Sequence, residues 1–205
     1  MVEGLKKTPT GIRGFDFIAD GGLPQGRTVL VAGSAGSGKT VFATQFLAAG
    51  VQVEGENGVF VTFEEHPKDL RRNMVSFGWD IPTLEAEGKW AFVDASPEPA
   101  QEVEIIGDYD FGALLARIEH AAHSVGAKRI VLDSIGCVFS HFPNLSRVRY
   151  ELFRIASALR EMNLTAVLTA ERTDEYGDIA RYGVEEFVAD SVVILRNVLE
   201  DEKRR

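Results

Sequence analysis

The sequence contains a single cysteine, Cys137, among its 205 residues. A lone cysteine excludes an intrachain disulfide and is typical of proteins made for a reducing compartment. The sequence also lacks any run approaching the ~18 consecutive apolar residues of a membrane-spanning helix. Its start, MVEGLKKTPTG, has no apolar run behind the two lysines, as a secretory signal would have. These absences predict a cytoplasmic protein that is neither exported nor embedded in a membrane.

Positive charge is also scarce in this sequence. The sequence has 22 Lys and Arg residues and 31 Asp and Glu residues, which gives a net charge of -9. This balance disfavours nucleic acid as the main partner, because a phosphate backbone is bound through positive charge. The length suits one domain better than two, and the composition is that of an ordinary globular protein. We therefore expect a single domain over residues 1–205.

Short apolar runs alternate along the chain with longer segments whose apolar residues recur at helical spacing. The predicted strands are Arg27–Gly33, Gly58–Phe63, Trp90–Val93, Arg129–Asp133, Thr165–Thr169 and Ser191–Leu195. The predicted helices are Lys39–Val53, Pro67–Phe77, Ile81–Glu87, Asp110–Val125 and Leu145–Met162, with Asp110 as an N-cap. Continuously apolar strands joined by helices predict a three-layer α/β fold with a mainly parallel sheet covered on both faces.

The stretch GSAGSGKT, residues 33–40, matches the pattern G-x-x-x-x-G-K-[ST] between a predicted strand and a predicted helix. Its glycines allow successive amide groups to point at phosphate oxygens, and the helix adds its positive N-terminal end. Lys39 supplies a charge for the outer phosphates, and the Thr40 hydroxyl is a ligand for Mg²⁺. The bound nucleotide is therefore predicted to contact Gly33, Ser34, Ala35, Gly36, Ser37, Gly38, Lys39, Thr40 and Val41. The alternative is a tight turn with a surface lysine.

Acidic residues at the ends of two other predicted strands complete the candidate site. Asp133 closes the strand RIVLD and suits an Mg²⁺ contact through water, although it could instead cap a turn. Glu64 and Glu65 end the strand after the glycine loop, where a carboxylate could activate water. Because the two carboxylates carry like charges side by side, the pKa of one of them would be raised, which suits a general base. The alternative for this pair is a solvated strand end.

Other residues give weaker signals. Thr169, Glu171 and Arg172 close a further strand at the same edge and could sense the terminal phosphate. The phenylalanines Phe42, Phe46 and Phe77 fit core packing at helical spacing better than stacking on bases. The four histidines lack metal-ligand spacing with Cys137, which favours surface or core roles for them.

With these residues in place, the sequence resembles the RecA-like ATPases and, within them, the KaiC family of circadian clock proteins. It looks most like the N-terminal ATPase half. The specific matches are GGLPQGR before the glycine loop, FEE, SFGWD and ARYGVEEF. The resemblance implies a hexamer that binds ATP between neighbours and hydrolyses it slowly. It also implies that Gly36–Val41 hold the triphosphate, that Glu64 and Glu65 form the catalytic pair, that Ser76 lies near the nucleotide, and that Ala95–Tyr109 receives a KaiB-like partner.

Family members continue beyond the position of Arg205 into a basic strand that reaches the neighbour's nucleotide, and then into a second ATPase half that carries autokinase activity. This sequence is therefore expected to be one half of a longer protein, with weaker assembly and slower turnover by itself. Three alternatives remain at this point. They are a nucleotide-gated binding module with negligible turnover, a RecA-type recombinase that polymerises on DNA, and a small-molecule phosphotransferase.

Overall fold

The computed structural model describes residues 4–96, 110–136, 145–173, 177–181, 183, 185–200 and 203–204. Within this part, six parallel strands form a central sheet in the order β5-β4-β6-β7-β3-β8. Their bounds are β3 Thr28–Gly33, β4 Gly58–Thr62, β5 Trp90–Asp94, β6 Arg129–Asp133, β7 Thr165–Glu171 and β8 Ser191–Leu195. The predicted three-layer α/β fold with a mainly parallel sheet is confirmed.

The bounds of the helices are α1 Arg13–Ile18, α2 Lys39–Ala49, α3 Pro67–Met74, α4 Ile81–Ala86, α5 Phe111–Val125 and α6 Leu145–Glu161. The five predicted helices, α2 to α6, are present with similar bounds, whereas the short helix α1 was not predicted. Helix α2 continues into a π-helical turn at Gly50–Glu54, and α3 continues into a 3-10 turn at Val75–Phe77. The predicted N-cap is confirmed, since the Asp110 carboxylate accepts a hydrogen bond from the amide of Ala113 at 2.9 Å.

Side chains of the central strands alternate between two cores, one on each face of the sheet. Leu30 of β3 belongs to the core covered by α5 and α6. Its neighbours Val29 and Val31 belong to the core covered by α2, α3 and α4. Both sets are fully buried, which is why these strands read as continuous apolar runs. Because the six strands are parallel, their carboxyl ends all lie at the same end of the sheet.

Two expectations of burial are wrong. Strand β8 lies at the edge of the sheet, and Val192 and Ile194, which share one face of this strand, are 38% and 37% exposed. An edge strand lacks a neighbour on one side, so its apolar residues need not be covered. Phe77, assigned to the core by its spacing, is 51% exposed because helix α3 ends before it, and its ring instead stacks on Trp79 at 5.1 Å.

An antiparallel pair of short strands, β1 Lys7–Thr8 and β2 Leu23–Pro24, was not predicted. The turn before β2 requires glycine at position 22, where φ is 113° and a Cβ atom would lie 2.3 Å from the carbonyl oxygen of Thr8. Two-residue strands are too short to show an alternating pattern, so sequence periodicity cannot reveal them.

The segment Ala95–Tyr109, predicted to receive a partner, lies mostly outside the described residues, which stop at Ser96 and resume at Asp110. Short strands β9 Leu199–Glu200 and β10 Lys203–Arg204 pair antiparallel near the end of the chain. In the part of the chain that the structure describes, no helix has the length and apolar character to cross a membrane.

Candidate nucleotide-binding site

The glycine loop joins the end of β3 to the start of α2, as its sequence predicts. Gly36 and Gly38 have φ values of 75° and 92°, a region of backbone conformation that other residues adopt only with strain. A Cβ atom at either position would meet nothing within 4 Å, so the loop presents bare backbone at its surface. Gly33 is different, because a Cβ there would lie 2.8 Å from the carbonyl oxygen of Leu195 on the neighbouring strand.

Lys39, the first residue of α2, folds its side chain back over this loop. Its Nζ donates to the carbonyl oxygens of Gly33 and Ser34, at 2.9 Å each. Burial lowers the pKa of Lys39, while the carboxylates of Glu171, Asp133 and Glu64 act in the opposite direction. The ammonium group therefore lies at the mouth of the loop, within the electrostatic reach of three carboxylates from different strand ends.

Asp133 lies at the end of β6 between two threonine hydroxyls. Thr40 Oγ1 donates to its Oδ2 at 2.8 Å, and Thr169 Oγ1 donates to its Oδ1. Burial raises the pKa of Asp133, and Glu64 adds to this effect, whereas the two hydroxyls and Lys39 oppose it. Strand β7 separates β3 from β6 in the sheet. Thr169 on β7 therefore bridges the two strands that carry the loop and the acid.

Glu64 is held by a residue that the sequence reasoning had considered only as part of a turn. Ser134 is 8% exposed, and its Oγ donates a hydrogen bond to Glu64 Oε1 at 2.5 Å. The two residues meet because β4 and β6 are adjacent, and the amide of Phe63 donates to the carbonyl oxygen of Asp133 at 2.9 Å. The peptide bond between Asp133 and Ser134 is cis. A hydroxyl directly after a strand-ending acid is the sequence signal that could have found Ser134.

Glu65 is held separately from Glu64. Its Oε1 accepts from Asn73 Nδ2 at 2.5 Å, and its carbonyl oxygen accepts from Thr62 Oγ1 at 2.5 Å. Burial is the largest cause of its raised pKa, followed among the raising causes by the charges of Asp69 and Asp133, while the Asn73 hydrogen bond opposes the increase. The sequence argument attributed such an increase to the adjacent Glu64, so the direction agrees but the cause differs.

The remaining candidates lie at different distances from the loop. Ser76 Oγ donates to the carbonyl oxygen of Asn73 at 3.0 Å, so its connection to the site runs through the residue that binds Glu65. Glu171 acts on Lys39 and pairs with Arg181 at 3.2 Å. The guanidinium of Arg172 is buried and donates to the carbonyl oxygens of residues 177 and 178 at 2.6 and 2.8 Å, which favours a structural role over phosphate sensing.

The residues present fit a nucleoside triphosphate and its metal ion. Ser37 Oγ, inside the glycine loop, is buried and has no hydrogen-bond partner among the described residues. The loop offers open backbone at two glycines, and its lysine shares the site with a Thr–Asp pair of hard oxygen donors, the kind that Mg²⁺ prefers. Val41 follows the loop and packs at the margin of the core beneath α2, whereas Ala35 is exposed.

A glycine loop of this pattern on a six-stranded parallel sheet, with acids at the ends of two other strands, is the fold of the RecA-like P-loop ATPases. A family model described as "ATPase: KaiC" matches residues 8–205. The chain therefore belongs to the KaiC ATPase family.

Named relatives agree with this membership. The chain is 64% identical over 203 residues to "Circadian clock protein KaiC3" of Synechocystis sp., covering 99% of this chain and 40% of that protein. It is 52% identical over 201 residues to "Circadian clock oscillator protein KaiC" of Thermostichus vulcanus, covering 98% of this chain and 39% of that protein. The same name applies to a relative from Prochlorococcus marinus that is 50% identical over 201 residues, with coverage of 98% and 40%. The chain thus spans about two fifths of the length of these relatives.

Proposed function

We propose that the protein binds Mg²⁺ and ATP at the glycine loop and hydrolyses the ATP slowly, as the working domain of a KaiC-like clock or signalling ATPase. The observation that carries this proposal is the convergence of Lys39, Thr40, Asp133 and Glu64 at one edge of the sheet, linked by hydrogen bonds and mutual charge effects. Membership of an ATPase family supports it.

The roles of the residues follow from their contacts. The loop amides and Lys39 bind the triphosphate oxygens. Thr40 would hold Mg²⁺ directly and Asp133 would hold it through water, and the ion would supply positive charge for the phosphate oxygens. Glu64 and Glu65 orient a water molecule and accept its proton as the water oxygen attacks the γ-phosphorus and the bond to the β-phosphate oxygen breaks, which yields ADP and phosphate.

Measurement of Mg²⁺-dependent ADP release tests this proposal. Lys39→Ala should abolish nucleotide binding, because the loop loses its phosphate-facing charge. The double variant with Glu64→Gln and Glu65→Gln should bind ATP but lose about 10²–10⁴-fold in kcat. Glu87→Gln is a matched control, since Glu87 is exposed and pairs with Lys89 at the opposite end of β5. Full activity in the double variant would refute the base assignment.

We further propose that ATP binds between neighbours in a hexameric ring and that its turnover controls docking of a KaiB-like partner near residues 95–109. The name of the family supports this, and the mass in solution with and without Mg-ATP tests it. A nucleotide-dependent hexamer is expected. A strict monomer in both conditions would rule out ATP sites between neighbouring subunits. Equal partner binding with ATP, ADP and a non-hydrolysable analogue would argue against control by nucleotide.

A nucleotide-gated binding module is the second candidate function. The observation that favours it is the attachment of Glu64 and Glu65 to three different elements, through Ser134 after β6, Asn73 in α3 and Thr62 in β4. Through these hydrogen bonds a bound nucleotide could order the segment that carries Glu64 and Glu65, even if hydrolysis of the nucleotide is negligible. ATP-dependent partner binding without measurable ADP release would select this function.

A further inference from the structure

A cluster of three polar side chains lies at the carboxyl end of β5, outside the contacts described above. His66 Nδ1 is 3.2 Å from Asp94 Oδ2 and 3.0 Å from Ser96 Oγ. Ser96 also donates to Asp94 Oδ1 through its hydroxyl, and through its amide at 3.0 Å. Helix α3 begins directly after His66, yet the imidazole makes no capping hydrogen bond to that helix. It contacts the end of the neighbouring strand instead.

This cluster is joined to the catalytic glutamates by a short and constrained path. His66 follows Glu65 in the chain, and its carbonyl oxygen accepts from the amides of Asp69 and Leu70 at 2.9 and 3.1 Å, which begins α3. On the other side, the Thr62 hydroxyl holds the Glu65 carbonyl oxygen. The loop is thus fixed at both ends by hydrogen bonds. The imidazole of His66 also connects this loop to the end of β5, through its contacts with Asp94 and Ser96.

The strength of the contact between His66 and Asp94 depends on whether the imidazole is neutral or cationic. A neutral ring with its proton on Nδ1 donates to Asp94 Oδ2. A cationic ring makes the same contact as an ion pair, which adds the attraction of two opposite charges to the hydrogen bond. The pKa of Asp94 is lowered, because the hydrogen bonds from Ser96 and His66 outweigh the effect of burial. Protonation of the ring is therefore expected to strengthen its contact with Asp94.

The charged groups around the cluster come from several elements. Arg117 on α5 donates to the carbonyl oxygen of Asp94 at 2.5 Å. With Asp110 at the start of that helix, it lines a cavity of about 350 Å³ that also borders Asp94 and Ser96. On the segment of His66 itself lie Glu65 and Asp69.

We propose that His66 is a positioning residue for Glu64 and Glu65, and that protonation of its imidazole strengthens its hydrogen bond to Asp94 and so favours hydrolysis. The hydrogen bonds of the ring go to Asp94 and Ser96, so its effect on the glutamates runs through the backbone of Glu65. This inference rests on the proposed function for its effect on hydrolysis, but the structural coupling can be measured without turnover.

The first experiment compares pH profiles of ATP hydrolysis. His66→Asn keeps a donor toward Asp94 that does not titrate. The ratio of wild-type kcat to His66→Asn kcat should be about two- to fivefold greater at pH 6 than at pH 8.5, the size expected for a half-exposed ion pair. The dissociation constant for ATP should be the same in both proteins. His123→Asn is the matched control, because His123 is exposed on α5 and its ring contacts the Glu119 carbonyl oxygen of its own helix. The corresponding ratio of kcat values should be the same at both pH values.

The second experiment uses NMR to follow the backbone amides of Glu64 and Glu65 during a pH titration. In wild type these amides should shift with the same midpoint as the His66 ring, and in His66→Asn the shift should be lost. Amides that stay fixed while the His66 ring titrates would overturn the inference, as would identical hydrolysis profiles of wild type and His66→Asn. Amides that shift in a protein without ATP hydrolysis would retain the positioning and refute only the proposed function.

Discussion

A buried arginine at the end of the sheet opposite the candidate site provides the sharpest test of how the fold is held together. Arg129, the first residue of β6, is 0% exposed. Its Nε donates to Glu56 Oε2 at 2.7 Å, and its Nη1 donates to the carbonyl oxygens of Pro9 and Phe46 at 2.7 and 2.8 Å. Its guanidinium carbon lies 4.8 Å from the centre of the Phe46 ring. One side chain thus ties the N-terminal segment and helix α2 to the sheet.

The perturbation is Arg129→Met, which replaces the unbranched stem of the side chain by another unbranched apolar chain and removes every donor. The Pro9 carbonyl oxygen would lose its donor, and an acceptor left without one costs about 1–3 kcal/mol. The Phe46 carbonyl oxygen would keep its hydrogen bond from the Gly50 amide, so it adds less. The Glu56 side chain is 26% exposed and can regain water, so it adds less. Arg129 Nη2 has no partner among the described residues, so the wild type already carries part of the cost of burial. The expected loss in the free energy of unfolding is about 3–4 kcal/mol, near the lower end for a broken buried pair.

Urea denaturation followed by far-ultraviolet circular dichroism measures this loss. A domain has only about 5–15 kcal/mol of stability, so the midpoint should move clearly. Arg72→Met is the matched control, because Arg72 is exposed and forms a surface pair with Asp69 at 2.9 Å, and its removal should cost less than about 1 kcal/mol. Equal stability of the two variants would refute the reasoning, since it would mean that the Arg129 contacts contribute no more than a surface pair.

Three further predictions concern the catalytic edge and helix α5. Asn73→Ala removes a hydrogen bond that lowers the pKa of Glu65, so the acid limb of the kcat profile should move to higher pH; an unmoved limb would separate Glu65 from catalysis. Ser134→Ala removes the hydroxyl that holds Glu64 and should lower kcat about ten- to hundredfold in the ADP-release assay, and an equal weakening of ATP binding would instead indicate a damaged pocket. Asp110→Ala removes the N-cap of α5 and should cost about 1 kcal/mol in urea denaturation, whereas a variant as stable as wild type would show that this cap is dispensable.

The local sequence predicted the elements that form within a short stretch of chain. The run 28–33 is apolar and β-branched, the loop after it is rich in glycine, and α2 has apolar residues at helical spacing. Strand periodicity, turn residues and helix caps depend on neighbours a few positions away, so these bounds could be read with errors of a few residues. The edge position of β8 could not, because burial of a strand depends on which other strands lie beside it.

The contacts within the candidate site show the same division. The residue types of Lys39, Thr40, Asp133 and Glu64 were identified from the sequence, because each follows a strand or opens a helix in a pattern that phosphate chemistry requires. Ser134 as the partner of Glu64 was missed, since the two residues are 70 positions apart. Their contact exists only because β4 and β6 are adjacent in the sheet.

The sequence by itself thus determined the class of fold, the phosphate loop and the family, all of which depend on short-range patterns. Only the tertiary structure decided that Thr169 bridges the loop to Asp133, that Glu65 is held by Asn73, and that His66 contacts Asp94. The physical reason is that strand order and register bring distant residues within hydrogen-bonding distance, and neither order nor register is written in any local stretch of the chain.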